Sequence, residues 1–528
     1  MEKIFIKRGL ILLIISTSGL LGVNAQYEYT TIEDITFRIV EKAKSAEVYA
    51  VPSEKETVIL PEKINYNGEE YLVSKIKSEA FSNHKTLKSI VIPNNISTIE
   101  ARSFYGCESL ESLDFPSSLK KIEHSVCYGC KELKSVKIGK SVIEIEGYAF
   151  EECHNLEKVI IEDIAAWCNI DLYIHNNISS SPLRIAGNLY IDDKLVTDLV
   201  ITEGTSIIKA GVFQGCRCLE SITLPKSLEY VDRCAFWETE PKRINISDIE
   251  SYCNVIFIDN PLARAGHLFL NGQEITTVEV PNTVTQLYGT FMGALSLTSI
   301  KIPNSVKSIS ENTFCLCSSL EEIDLPENLE GIGGEAFQYC SSLKSIEIPD
   351  NVKAIGNNCF WGCFELEKIS MGKSVTSLGY GCFALCPKLK DFYSYSQYPP
   401  TVVREDLGGL FGESDIEYAT LHVLSSSIEY YSQAKFWSDF GRIMAIEDSS
   451  TEGIVNVKAN AVITQNEGGV INITGLSDGS KVEVFILSGE KVASVIAHSE
   501  KTSIQTPLKS GEVGLIRIGD KCIKVIIE

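Results

Sequence analysis

The feature of this sequence that most restricts its fold is a repeat of 23 residues. The segment FYGCESLESL, which begins at Phe104, recurs in varied form along most of the chain. Its first residue, called the landmark here, is Phe except at Cys127 and Tyr190. The landmarks fall at 81, 104, 127, 150, 190, 213, 236, 269, 291, 314, 337, 360 and 383, and nine of the twelve steps are 23 residues long. A fixed period of this length is typical of a solenoid.

Each unit has the pattern of one short strand followed by an arc. Ile346 and Ile348 alternate with polar residues, which predicts a strand with one buried face. Pro349 has no N–H to donate to a sheet, so it ends the strand. One unit cannot bury its own apolar side chains, whereas stacked units bury a continuous core. The sequence therefore predicts a β-rich solenoid, in which coils of 23 residues build a parallel sheet.

Two coils are longer than the others. Steps of 40 and 33 residues define two swollen coils, at about 151–200 and about 237–280. Asn271-Gly272 in the second swollen coil is a strong two-residue turn signal, and Asp192-Asp193 occupies the matching place in the first. We therefore predict a hairpin that projects from the solenoid in each coil. Such hairpins can carry function or act as spacers, and the sequence leaves both open.

The repeat pattern F-x-x-C-x-x-L-x-x-I-x-I-P, with Ala before the landmark, resembles the BspA-type leucine-rich repeat over roughly residues 56 to 392. The resemblance implies a parallel-stranded leucine-rich-repeat array in a protein that bacteria export. It also implies an adhesin-like surface protein that binds host proteins or other cells. The sequence departs from the pattern at Cys127, at Ala294, which replaces the repeat Cys, and in the two swollen coils. These departures affect local geometry rather than the fold.

The ends of the array need caps, because terminal coils would otherwise expose core side chains. An amphipathic segment from Tyr430 to Phe440 predicts a helix docked on the last coil, and Asn67-Gly68 predicts a hairpin near the start. The predicted divisions are an N-terminal cap at 26–75, the solenoid at 76–392 and a C-terminal cap at 393–448.

The sequence changes character after a predicted linker at 447–451. Residues 452–528 contain about seven short alternating segments, which predict a small C-terminal β-sandwich. The stretch from Leu508 to Ile527 resembles the C-terminal sorting domain of the type IX secretion system. That resemblance implies export past the outer membrane, with removal or surface attachment of the domain. Gly514 stands where that family usually has Tyr, so a sorting domain and a purely structural module both remain open.

Residues 1–25 have the pattern of a signal peptide. Three basic residues lie among the first eight, an apolar run extends from Gly9 to Leu21, and Val23–Ala25 offers a small-residue cleavage site. The alternative is an uncleaved anchor, but the run is shorter than the ~20 residues that span a bilayer. We therefore expect a secreted or cell-surface protein with no transmembrane segment after signal removal.

The formal net charge of −22 excludes some classes of partner. It repels nucleic acid and anionic lipid, and it mildly favours cationic partners. We expect no nucleic-acid binding.

The chain has 17 cysteines, which in a secreted protein first suggest disulfides. Their spacing favours buried free thiols instead, because eight of them follow a landmark by three residues and so repeat with the coil. Cys216-x-Cys218 resembles part of a metal motif, as do Cys127-x-x-Cys130 and Cys315-x-Cys317. One member of each pair belongs to the repeat, however, and no His follows at zinc-like spacing. The sequence predicts no metal and no other cofactor.

Signals of catalysis are weak. No nucleophile elbow, phosphate loop or metal-binding His pair occurs, and the seven histidines are scattered. His84 stands at a repeat-Cys position, so we expect a structural role for it. The sequence predicts no enzyme. An enzyme would need a polar pocket, most plausibly in the swollen coils near Trp167 and Tyr252.

Two rows of side chains are the candidate binding surface. The strand row is the outward residue of each predicted strand. The aromatic row is the residue just after the landmark, where aromatic side chains would suit a protein or a sugar, although they could equally pad an edge between coils. The strand row includes Asp114, Lys137, Thr223, Lys301, Asp324 and Glu347, and the aromatic row is Tyr105, Tyr128, Trp237 and Trp361.

These observations favour a binding protein that engages an extracellular protein, of host or microbial origin, through its repeat surface. The aromatic row motivates a glycan as the alternative ligand. An enzyme is the third and weakest hypothesis. Fold alone does not fix the ligand.

Overall fold

The structure is a computed structural model that describes residues 27–404, 409–446, 462–466, 470–474, 481–486, 491–496, 501–507, 513–518 and 521–526. The predicted signal peptide and the predicted linker lie outside the described residues. The chain divides into two compact units, which meet in sequence between Ala445 and Ile446.

The first unit is a β-solenoid of about 17 turns, so the predicted fold class is confirmed. Its main row consists of parallel strands that pair with the equivalent strands of neighbouring coils and form several separate sheets. Lys137 lies opposite Asp114 on one side and Ile160 on the other, a register of one repeat that keeps equivalent residues on the same face. The main row contains Thr57–Ile59, Ser89–Val91, Ser112–Asp114, Ser135–Ile138, Lys158–Ile161, Leu189–Ile191, Asp198–Val200, Ser221–Thr223, Arg243–Ile246, Leu268–Leu270, Thr277–Glu279, Ser299–Lys301, Glu322–Asp324, Ser345–Ile348, Lys368–Met371, Asp391–Ser394, Thr420–Val423 and Arg442–Ala445.

A second row of shorter parallel strands forms another face of the coils. Most of its strands have two residues, of which the second is buried, as in Lys121–Ile122. The row contains Thr98–Ile99, Lys121–Ile122, Glu144–Ile145, Asp171–Leu172, Ile207–Ile208, Tyr230–Val231, Ile256–Phe257, Gln286–Leu287, Ser308–Ile309, Gly331–Ile332, Ala354–Ile355, Ser377–Gly379 and Thr401–Val403.

Landmark phenylalanines stack along the core. Phe337 lies 5.2 Å from both Phe314 and Phe360, measured between ring centroids, and all three rings are fully buried. Two landmarks inferred from the period were wrong. Tyr190 and Phe269 lie inside main-row strands and are partly exposed. They were mistaken for landmarks because each stands about one period before the next true landmark.

Eleven coils turn two corners in left-handed backbone, one two residues before the landmark and one two residues after it. Between the corners, Glu335, Phe337 and Tyr339 donate backbone hydrogen bonds to the next coil at 2.8–2.9 Å. This conformation favours Gly and Asn over residues with larger side chains. The first corner holds residues 79, 102, 125, 148, 211, 234, 289, 312, 335, 358 and 381, and the second holds 83, 106, 129, 152, 215, 238, 293, 316, 339, 362 and 385.

The swollen coils contain the predicted hairpins and two short helices each, which the sequence analysis did not predict. Leu189–Ile191 pairs with Lys194–Leu195, and Leu268–Leu270 pairs with Gln273–Glu274. Asp163 and Asp248 cap the first helix of each coil by accepting a backbone N–H at 2.7 and 2.8 Å. The helices are Ile164–Cys168, Leu183–Ala186, Ile249–Cys253 and Leu262–Ala265.

Only the first swollen coil has a further hairpin. Ile174–His175 pairs with Ile178–Ser179 through Asn176 and Asn177, whose φ values of 49° and 63° fit a type I′ turn. This hairpin occupies the stretch where the first swollen coil is longer than the second.

At the N-terminal end an antiparallel meander precedes the first coil, and Asn67-Gly68 forms the expected hairpin between Lys63–Tyr66 and Glu69–Ile76. The meander contains Glu28–Ile32, Ile35–Val40 and Ser45–Ala50, with the 3₁₀ turn Glu41–Ala43.

At the C-terminal end parallel pairing continues through the segment expected to act as a cap, since Asp391–Ser394 pairs with Thr420–Val423 and that strand with Arg442–Ala445. The expected helix covers only Ile428–Gln433, preceded by the 3₁₀ turns Ile416–Tyr418 and Ser425–Ser427.

The second unit contains two antiparallel sheets with the seven strands that the sequence suggested; their face-to-face packing as a sandwich stays a prediction. One sheet contains Val462–Asn466, Val470–Thr474 and Lys501–Gln505, and the other Lys491–Ile496, Lys481–Ile486, Val513–Ile518 and Lys521–Ile526.

Candidate functional site

The residues of the strand row lie on the main-row strands, but they do not form one continuous surface. Lys137 is paired with Asp114, and Lys301 with Asp324, so those neighbours are brought together. The main row breaks after Lys194–Leu195 and again after Gln273–Glu274, where the antiparallel hairpins end a sheet. Thr223 and Glu347 lie on other sheets than these pairs, since a further break separates Glu322–Asp324 from Ser345–Ile348. The strand row therefore consists of separate patches.

Charges in the strand row are partly neutralised by neighbours. The Nζ atom of Lys301 lies 2.9 Å from a carboxylate oxygen of Glu279, and this hydrogen bond raises the pKa of Lys301. Lys137 lies 3.8 Å from Glu162. These are exposed pairs, so salt screens them and each contributes little to stability.

The aromatic row is likewise discontinuous. Tyr105 and Tyr128 stack face to face with their ring centroids 5.1 Å apart, so each ring covers part of the other. Trp361 meets the ring of Tyr339 edge-on at 4.9 Å. Trp237 is 43% exposed and belongs to a coil distant in sequence from both pairs.

A surface that the sequence analysis missed is an apolar groove across four consecutive coils. Leu295, Leu316, Tyr339 and Phe364, called the apolar stripe here, line it together. Leu295, Leu316 and Phe364 are 42%, 37% and 40% exposed. A signal was present in the sequence, because Leu316 and Tyr339 stand two residues after a landmark, where five other coils have Gly.

The stripe has fixed geometry at its aromatic end. A Cβ atom on Gly362 would lie 2.7 Å from Cδ1 of Tyr339, which means that the Tyr339 ring rests directly over the glycine backbone. The ring centroid of Phe364 lies 6.4 Å from that of Tyr339. The absence of a side chain at Gly362 therefore determines where the Tyr339 ring lies.

Leu316 and Tyr339 both occupy left-handed backbone, with φ values of 65° and 58°. That conformation is unfavourable for a residue with a Cβ atom by about 1 kcal/mol. Neither side chain is fully buried, so packing in the core does not offset the whole of this strain.

Trp167 and Tyr252 do not line an active-site pocket. The indole Nε1 of Trp167 donates to the Val212 carbonyl at 3.0 Å, and the Tyr252 hydroxyl donates to the Thr290 carbonyl at 2.7 Å. Both rings are buried, and burial raises the pKa of Tyr252. These side chains are core residues of the swollen coils.

The described cysteines are free thiols, as the repeat spacing predicted. The Sγ atom of Cys340 donates to the Phe314 carbonyl of the preceding coil at 3.2 Å, and Cys363 donates to the Phe337 carbonyl at 3.3 Å. Burial raises the pKa of both thiols, so neither is reactive at neutral pH.

Cys216 and Cys218 differ from the other thiols. Their Sγ atoms lie 3.6 Å apart, and Cys218 is only partly buried. The hydrogen bond from Cys216 lowers the pKa of Cys218 to about 7. Among the described residues, no group of three or more His, Cys, Asp or Glu side chains is placed to hold a metal ion.

The geometry defines the class of protein as a leucine-rich-repeat solenoid. The family model for the BspA type leucine rich repeat region (6 copies) matches residues 62–180, 184–289 and 287–398, which is more than half of the chain. The chain therefore belongs to the BspA-type leucine-rich-repeat family.

Solved structures with a similar fold come from several bacteria. A leucine rich cell surface protein from Faecalibacterium prausnitzii is 23% identical, covers 69% of this chain and 94% of its own, and has a TM-score of 0.40. A leucine-rich repeat protein from Bacteroides ovatus is 24% identical with the same coverage and a TM-score of 0.39. The pneumococcal vaccine antigen PcpA is 17% identical, covers 80% of this chain and 98% of its own, and has a TM-score of 0.43. These similarities concern the fold alone.

A comparison with curated proteins returns no match. BspA-type proteins are typically displayed on the cell surface or secreted, and they are typically binding modules rather than enzymes. In the part of the chain that the structure describes, no helix combines the length and apolarity needed to cross a membrane.

Proposed function

We propose that this chain is a secreted or surface-displayed, adhesin-like protein that binds an extracellular protein through the apolar stripe. The observation that carries the proposal is the row of exposed Leu295, Leu316 and Phe364 beside the fixed ring of Tyr339. Contiguous exposed apolar surface is rare on soluble proteins and marks interaction sites. Family membership and the expected signal peptide support an extracellular location.

A protein suits this groove better than a small ligand. The groove is open and crosses four coils, so it can accept an extended apolar surface rather than enclose a molecule. Ser318 and Ser341 lie along it and provide polar atoms beside the apolar side chains, as interface rims do. The net charge of −22 favours a partner that is cationic around its apolar contact.

The test is capture on an array of purified extracellular-matrix proteins. We expect the full chain to capture at least one protein saturably. A variant with Leu295→Ser, Leu316→Gly and Phe364→Ser should lose at least tenfold in affinity. Leu316→Gly also relaxes a left-handed residue, so loss of folding is not the expected cause.

The matched control replaces three apolar residues elsewhere that are more exposed than those of the stripe, with Ile143→Ser, Val200→Ser and Val403→Ser. It should bind as the unmodified chain does. Equal loss in both variants would show non-specific adhesion. Full binding by the stripe variant would show that the apolar stripe is not the binding interface.

Two further variants test the predicted rows on the same array. The aromatic-row variant replaces all four aromatic residues with Ala, at Tyr105, Tyr128, Trp237 and Trp361. The strand-row variant replaces Thr223 with Ala and reverses the charge of five residues, Asp114, Lys137, Lys301, Asp324 and Glu347. If one of these variants loses capture and the stripe variant does not, the binding interface lies on that row and not on the stripe.

A further inference from the structure

The first swollen coil carries a concave surface that neither the stripe nor the predicted rows include. A cavity of about 430 Å³ opens between the second row of strands and the swollen coil, which is within the range of small-ligand sites. A second cavity of about 190 Å³ adjoins it, and Tyr148 and Tyr173 line both. From this geometry we infer that the joined cavity is a carbohydrate-binding site for one or two neutral sugar rings within a glycan.

Two tyrosines provide flat apolar walls for this cavity. Tyr148 is 51% exposed and Tyr173 is 50% exposed. Among the described residues, neither hydroxyl has a hydrogen-bond partner, so both are free to bind a ligand. A sugar ring presents C–H groups on its faces and hydroxyls on its rim, which matches an aromatic wall carrying a polar tip.

Both rings are held in place. The His124 ring meets the Tyr148 ring edge-on with their centroids 5.4 Å apart. A Cβ atom on Gly147 would lie 3.0 Å from Cδ1 of Tyr173, so that ring rests over the glycine backbone. Rigid aromatic walls lose little conformational entropy when a ligand binds.

The backbone conformation at Tyr148 is one that residues with a Cβ atom rarely adopt. The residue is at the first left-handed corner of its coil, with φ of 59°, where Gly211, Gly289 and Gly381 stand in other coils. Its side chain is half exposed, so core packing does not explain a bulky residue there.

The polar groups in the cavity suit a neutral ligand rather than a cation. Lys121 lies 3.1 Å from Glu144 and 2.6 Å from Glu146, and Lys209 lies 2.8 Å from Asp171. Each of these carboxylates is therefore already paired, and the hydrogen bond from Lys121 lowers the pKa of Glu146. The paired carboxylates offer hydrogen-bond acceptors on the cavity wall, and the hydroxyls of Tyr148 and Tyr173 offer donors beside them, which suits the hydroxyls of a sugar.

The second swollen coil shows that the solenoid fold does not require the tyrosines that line the cavity. Its strand pairing matches that of the first, with Ile256–Phe257 against Tyr230–Val231. At the positions equivalent to Tyr148 and Tyr173 it has Cys234 and Ile258. It also lacks the hairpin that carries Ile178 on the cavity wall of the first coil. The aromatic cavity is thus an addition to a common framework.

The test uses saturation-transfer NMR on the full chain with a panel of neutral oligosaccharides at millimolar concentration: maltohexaose, cellohexaose, mannohexaose, xylohexaose, chitohexaose and N-acetyllactosamine. Titration calorimetry then gives the affinity of each ligand found. We expect at least one to bind, and Tyr148→Gly and Tyr173→Ala each to weaken it at least tenfold. Tyr148→Gly should fold well because glycine is favoured at that corner.

The matched control is Ile258→Ala, at the equivalent place in the second swollen coil, which should change the affinity less than twofold. No saturable binding by any oligosaccharide, or binding that both Tyr variants retain, would overturn the site. Tyr148-dependent binding of spermidine but of no sugar would also overturn it. Leu316→Gly should leave sugar binding intact, so failure of the apolar stripe and failure of this site are separable.

Discussion

At the scale of single residues, the repeat cysteine acts as a hydrogen-bond donor between coils as well as a small apolar group. The Phe314 carbonyl accepts the backbone N–H of Cys317 at 3.1 Å and the thiol of Cys340 at 3.2 Å. His84 stands at the same position of an early coil and is 2% exposed. Among the described residues, neither of its ring nitrogens has a partner.

Replacing His84 by Cys should therefore stabilise the solenoid. His84→Cys removes two buried polar atoms without partners and restores the thiol of the repeat. We expect the free energy of unfolding to rise by about 1 kcal/mol. Denaturant unfolding measures it, with His154→Ser as the exposed control that should change nothing. A lower stability would mean that the volume of the imidazole matters more than its unpaired nitrogens.

Cys218 should be the first described cysteine to react with iodoacetamide. Its pKa is lowered to about 7 by the thiol of Cys216, so its reaction rate should rise with pH with a midpoint of about 7. Because the folded state favours the thiolate, this contribution to stability is present above the ordinary thiol pKa and is lost as pH falls through about 7.

Peptide mass spectrometry after alkylation at a series of pH values measures that midpoint. Cys216→Ala, which removes the donor, should return the midpoint toward ~8.5, the ordinary value for a thiol. A midpoint near ~8.5 in the unmodified chain would contradict the expected hydrogen bond.

At the scale of the element, the left-handed corners set which side chains the coil presents to solvent. Gly362 and Gly272 both have positive φ, at 75° and 81°. They differ in surroundings, because the Tyr339 ring lies over Gly362, whereas nothing lies within 4 Å of a Cβ atom built on Gly272. Comparing the same substitution at the two glycines therefore separates the cost of backbone strain from the cost of contact with the Tyr339 ring.

Gly362→Ala should destabilise the chain more than Gly272→Ala. Both add a Cβ atom to left-handed backbone, which costs about 1 kcal/mol. Gly362→Ala must in addition displace Tyr339 from its place in the stripe. Thermal unfolding compares the two variants, and equal melting temperatures would show that the ring moves freely.

At the scale of the whole molecule, the described turns of the first unit share one apolar core, and the last turns close its C-terminal end. Trp437 is 1% exposed and meets the rings of Phe392 and Tyr431 at 5.3 Å. It thus covers the final aromatic rings of the stack, as the sequence predicted for the segment from Tyr430 to Phe440. In a solenoid, losing such an end exposes the coil behind it.

Trp437→Ala should lower the free energy of unfolding by about 3–5 kcal/mol, the usual cost of emptying a buried aromatic site. Trp237→Ala is the matched control, since it removes a 43% exposed ring and should change stability by about 0.5 kcal/mol or less. Chemical denaturation measures both. A small effect of Trp437→Ala would show that the last turns are not needed to close the core.

The sequence by itself determined the solenoid, the hairpins at Asp192-Asp193 and Asn271-Gly272, and the buried thiols. Each of these follows from local or strictly periodic information: the 23-residue period fixes the register between coils, and two-residue turns fix their hairpins. The same counting misplaced Tyr190 and Phe269, because a period records spacing and not the path of the chain inside a swollen coil.

Only the tertiary structure decided where the candidate binding surfaces lie. The apolar stripe combines positions four residues after a landmark, Leu295 and Phe364, with left-handed corner positions, Leu316 and Tyr339. The cavity joins Tyr148 of one coil to Tyr173 of the next. A concave surface depends on the directions of side chains that are a coil or more apart, and the backbone corners that set those directions are formed only when the coils stack.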